Sequence, residues 1–91
     1  MEIGTFYFKK GNYDAAIDRF EEATRYEPNL AKPWRLLAEA YEKKHDSGRA
    51  IESYKKYLEV FPGVADAAQI KKRVATLEVK KAREASKRTT H

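Results

Sequence analysis

The sequence repeats itself at an interval of 34 residues. Leu37-Ala38-x-x-Tyr41 is matched by Ile3-Gly4-x-x-Tyr7, Ala50-Ile51-x-x-Tyr54 by Ala16-Ile17-x-x-Phe20, and Pro62 by Pro28. Within each interval the apolar positions fall three or four residues apart, which is the spacing of one helix face. An interval of this length leaves room for two helices and two turns. Such a unit cannot bury its apolar face alone, so its copies must stack on one another. This restricts the fold to an all-α array of antiparallel helix pairs.

Trp34-x-x-Leu37-Ala38-x-x-Tyr41, then Ala50-x-x-x-Tyr54, then Pro62 resembles the tetratricopeptide repeat in period and in residue type over residues 1–64. The resemblance implies two repeats, 1–30 and 31–64, the first with a truncated opening helix. It also implies a small residue at Gly4, where two helices approach closely.

The turns can be placed from local chemistry. Gly11-Asn12 ends the first helix, and Asn12 or Asp14 caps a second running from about Tyr13 to Tyr26. Pro28 stops that helix, and Pro33 suits the first turn of the third, which continues to about Lys44. His45-Asp46-Ser47-Gly48 is the next turn, with Asp46 or Ser47 capping a helix from Ser47 to Val60. The 34-residue match then fails. A fifth helix, from Val64 to about Glu84, carries the single stripe Ala67, Ile70, Val74 and Leu77. One apolar face and one charged face are what a capping helix over 65–85 requires, with its last turns projecting into solvent. Residues 86–91 are expected to be a disordered basic tail.

The formal charge of +5 is concentrated at one end. Residues 1–70 hold 11 Lys and Arg against 12 Asp and Glu, whereas residues 71–91 hold 8 against 2. Any attraction to an anionic polymer or membrane surface therefore lies in the basic C-terminal helix, at Lys71-Lys72-Arg73 and Lys80-Lys81-Arg83. No aromatic residue follows Phe61, which argues against base stacking and so against nucleic acid. No apolar run approaches the roughly 20 residues needed to cross a bilayer, and no signal peptide is visible. A water-soluble chain of the cytoplasm or periplasm is expected.

The sequence holds no cysteine, and its two histidines, His45 and His91, lie in a turn and at the last position. Neither stands in a catalytic or metal-binding spacing, and no glycine-rich phosphate loop occurs. No enzyme, cofactor or metal is expected. Tyr7, Tyr41 and Tyr54 fall at core positions.

What the family resemblance implies about function is a groove, lined by the first helix of each repeat, that receives an extended or helical peptide. Carried over by position, it points to Thr5, Phe8 and Lys9, to Lys32, Arg35, Glu39, Glu42 and Lys43, and to Gln69, Arg73 and Thr76. Chaperone-binding members hold a peptide C-terminal carboxylate with a Lys/Asn/Arg clamp. Here its asparagine positions carry Glu2 or Thr5 and Leu36 or Glu39, so a mixed-charge groove of a scaffold or adaptor is expected instead. A narrower resemblance, over Gly4 to Phe20, is to the first repeats of bacterial outer-membrane assembly lipoproteins, although their lipobox cysteine is absent. Finally, Ile3, Phe6, Tyr7 and Phe8 cannot all face one neighbour on a helix of period 3.6. At least one, Phe6 or Phe8, should face outward. That edge is expected either to meet a preceding repeat of a longer array or to self-associate.

Overall fold

A computed structural model describes residues 2–89 and the side chains of residues 3–86. It contains five helices: α1 (Glu2–Lys9), α2 (Tyr13–Tyr26), α3 (Ala31–Lys43), α4 (Ser47–Val60) and α5 (Ala67–Thr89). Substantial packing among them runs between neighbours in sequence, α1 on α2, α2 on α3, α3 on α4 and α4 on α5, as in a stack of hairpins.

The turns inside the two repeats are built alike. At the end of α1 the Asn12 N–H donates to the Tyr7 carbonyl and the Gly11 N–H to that of Phe8, at 2.9 and 3.0 Å. At the end of α3 the Asp46 N–H donates to Tyr41 and the His45 N–H to Glu42, both at 2.9 Å. This paired closure satisfies carbonyls that a helix end otherwise leaves open, and it requires a left-handed residue. Gly11 takes that conformation at φ 80°, and His45 takes it at φ 64°. The next residue then does a second job. The side chains of Asn12 and Asp46 accept from the N–H groups of Ala15 and Arg49, capping α2 and α4.

His45 holds a backbone conformation that glycine adopts without strain. His45→Gly should therefore raise stability by about 0.5–1 kcal/mol, the left-handed penalty of a Cβ less the added freedom of glycine when unfolded. A thermal melt should shift up by about 3–6 °C. An unchanged or lower midpoint would show that the histidine conformation carries no cost.

Ala16, Phe20, Ala38, Ala40 and Ala50 are wholly buried, with Ile17, Leu37, Tyr41, Ile51, Tyr54 and Tyr57 nearly so. Ile70, Val74 and Leu77 join this cluster from α5. Trp34 and Tyr7, expected in the interior, are only half-buried at its margin. Trp34 lies in the first turn of α3, and its indole N–H donates to the Pro28 carbonyl at 3.1 Å, which ties it to the preceding loop.

The C-terminal helix differs from expectation at both ends. It begins at Ala67, because turn bonds from Val64 N–H to Phe61 and from Ala67 N–H to Val64 occupy the residues before it. It then runs through Thr89, including residues expected to be disordered; residues 90–91 of that tail lie outside the described residues. Nor does it leave the body at Leu77. Lys55 of α4 donates to Glu78 at 3.2 Å, and the ammonium of Lys81 lies over Gly48 at the start of α4.

Candidate functional site

Two connected depressions lie between α3 and α5. One, of about 220 Å³, is lined by Arg35, Glu39, Tyr54, Asp66, Gln69, Ile70 and Arg73. The other, of about 320 Å³, is lined by Glu39, Glu42, Lys43, His45, Arg73 and Lys80. Of the residues expected to line a groove, Arg35, Glu39, Glu42, Lys43, Gln69 and Arg73 are thus gathered around one cleft. They meet because helical spacing places 35, 39 and 42 on one face of α3, and the 34-residue offset repeats that face at 69 and 73.

The other expected groove residues stand apart from it. Lys32 and Thr76 are exposed but line neither depression. On α1, Lys9 is exposed and Thr5 half-buried. Phe8 is committed elsewhere: its ring meets that of Tyr13 edge to face at 5.4 Å, helping to seat α1 on α2. The outward residues of α1 are instead Ile3 and Phe6, each 56% exposed.

Asp66, Tyr54, His45 and Lys80 were not singled out as groove residues. Asp66 was findable, since it stands 34 residues after Lys32 in the same register.

The cleft is spanned by crossed charge pairs. Arg35 of α3 lies 3.6 Å from Asp66, just before α5, and 3.7 Å from Glu39. Arg73 of α5 donates to Glu42 of α3 at 3.1 Å. Each bridging carboxylate also accepts a hydroxyl from α4: Tyr57 donates to Asp66 at 2.6 Å and Tyr54 to Glu42 at 2.9 Å. Carboxylate, arginine and buried tyrosine therefore join three helices twice. The arginines and acids are partly exposed, so their chief effect is to fix geometry rather than to add much stability. The apolar stripe of α5 holds it to α4, and these two bridges set its distance from α3.

The tyrosines record this environment. Burial first, and then the Asp66 carboxylate, pushes the Tyr57 phenol up to about 12. Tyr54 is raised likewise, by burial and then Glu42, and Tyr41 by burial and then Glu21. A raised folded value means that the fold favours the neutral phenol. Its contribution is complete below the unfolded value near 10 and is lost as pH rises from 10 through about 12. The denaturation midpoint should accordingly fall across that window, and Tyr57→Phe should flatten the fall. A midpoint that stays level up to pH 12 would contradict this.

Among the described residues no cluster of three or more His, Cys, Asp or Glu is placed to hold a metal, and no helix is long and apolar enough to cross a membrane.

With that geometry in place, the comparisons with known proteins agree. The family described as TPR repeat matches residues 4–44, and that described as tetratricopeptide repeat matches residues 31–63. A probable UDP-N-acetylglucosamine–peptide N-acetylglucosaminyltransferase of Arabidopsis thaliana is 40% identical over 52 residues, 57% of this chain. The peroxisomal targeting signal receptor of Saccharomyces cerevisiae is 31% identical over 65 residues, 71% of this chain. The alignments cover 5% and 11% of these relatives' own lengths. Neither is an outer-membrane lipoprotein, and that narrower resemblance keeps only the residues from Gly4 to Phe20 in its support. Two repeat matches that together span residues 4–63, on five helices stacked as hairpins, mean that the chain belongs to the tetratricopeptide repeat family of protein-interaction modules.

Proposed function

We propose that this chain is a non-catalytic interaction module that binds a peptide, or a helix of a partner protein, in the cleft between α3 and α5. The observation that carries the reading is the cleft itself: polar side chains of Arg35, Glu39, Gln69 and Arg73 converge around one depression that no element of the chain fills. Guanidinium, carboxylate and amide groups in one trough supply donors and acceptors for a peptide backbone as well as its side chains. The name of the yeast relative, a targeting signal receptor, fits such a role.

Selection of a randomised heptapeptide library on the purified protein tests this. Gln69→Trp is the control, because Gln69 is exposed and lies outside the bridges that hold α3 to α5. Peptides enriched on the wild type should lose binding to Gln69→Trp. Binding that survives this block would overturn the reading.

Two rival uses of the surface have their own observations. Lys71, Lys72 and Arg83 are exposed on α5, which favours attachment to an anionic polymer or membrane surface. Such binding should weaken steeply between low and physiological salt. Ile3 and Phe6 expose an apolar edge on α1, which favours self-association. Light scattering behind size exclusion at tens of micromolar should then show a dimer that Phe6→Glu disperses, whereas a monomer in both cases removes that reading.

A further inference from the structure

Charge is compensated unevenly along the cleft. Near the start of α5, Arg35 is answered by Glu39 and Asp66, and farther along Arg73 is answered by Glu42. The 320 Å³ depression beyond them adds Lys43 from the last turn of α3 and Lys80 from α5, with His45 at its rim. Glu42 is held by Arg73 and Tyr54, and Glu39 pairs with Arg35. Lys43 and Lys80 are thereby left as cations without a counterion among the described residues. Both are exposed, and they approach from opposite walls of the same depression.

We infer that this end of the cleft receives an acidic side chain, Asp or Glu, of the bound peptide. The inference rests on the peptide-binding reading above. A carboxylate between the two ammonium groups completes the pairing that the rest of the cleft makes internally, and an imidazole N–H at His45 adds a donor. Toward Gln69 the trough is already neutral, so a second charge on the peptide gains nothing there. Recognition thus has a direction: an anionic residue at the Lys43–Lys80 end and uncharged residues toward the start of α5. These lysines do not stand at the positions of the chaperone carboxylate clamp, and they take a side chain rather than a chain terminus.

Peptides enriched on the wild type provide the test. Asp or Glu should be over-represented at one position, and its replacement by Gln should weaken binding about three- to tenfold in fluorescence anisotropy, the range for two partly exposed charge contacts. On Lys43→Glu/Lys80→Glu the same position should turn to Lys or Arg. The melting temperature of that variant should be unchanged, since neither lysine holds a partner in the fold. Peptides that bind with Gln as well as with Glu, yet are lost in Gln69→Trp, would overturn the acidic pocket and leave the groove standing. Absence of any peptide that Gln69→Trp displaces would remove both.

Discussion

Leu37→Ala is expected to lower the unfolding free energy by about 2–5 kcal/mol, a large share of the stability of a domain this small. Leu37 is 6% exposed and lies in the continuous buried cluster that every helix from α2 to α5 enters. Truncation removes three carbons from a site bounded by wholly buried small residues, Ala38 and Ala40 among them, and these cannot swell to refill it. Equilibrium denaturation in urea should show the midpoint falling with the slope unchanged. A midpoint within experimental error of the wild type would refute the register that places Leu37 in the core.

Gly4→Leu should cost about 1–3 kcal/mol, with the damage confined to α1. A Cβ at Gly4 would stand 2.6 and 2.8 Å from two ring carbons of Phe20, which is wholly buried. The ring cannot withdraw without opening the core, so α1 must lift. Substantial packing of α1 is on α2 alone, and its eight residues are too few to persist as a free helix. Amide exchange should accelerate across Glu2–Lys9 while α3 and α4 keep their protection. Equal acceleration everywhere would mean that α1 is integral to the cooperative core. Gly4→Ala separates the two forces on this residue, since the helix preference of alanine, up to about 1 kcal/mol, opposes the clash.

The ends of α2 and α4 were legible because their signals are local. Asn12 and Asp46 cap within three residues, and Pro28 and Pro62 force the chain out of the helix at fixed points. The shared face of 35, 39, 69 and 73 was legible because a 34-residue offset preserves helix phase. What escaped the sequence depends on contacts between distant residues. The start of α5 follows from turn bonds at Val64 and Ala67, and no capping pattern announces it. The bridge from Arg35 to Asp66 and the hydroxyl of Tyr57 on Asp66 appear only once α3, α4 and α5 are packed. Phe8 fits the groove pattern by position, yet its ring lies against Tyr13, a choice set by how α1 tilts onto α2. Lys80 lies beyond the matched repeats, so no register carried it to the cleft.

Peptide binding between α3 and α5 is tested most directly by amide chemical-shift mapping with a library-selected peptide. The expected result is a contiguous set of perturbations at Arg35, Glu39, Lys43, Gln69, Arg73 and Lys80, with Asp18, Glu22, Glu52 and Glu59 on α2 and α4 unmoved. Perturbations centred on those acidic positions, or on Lys72, Val79 and Arg83 of α5, would contradict it.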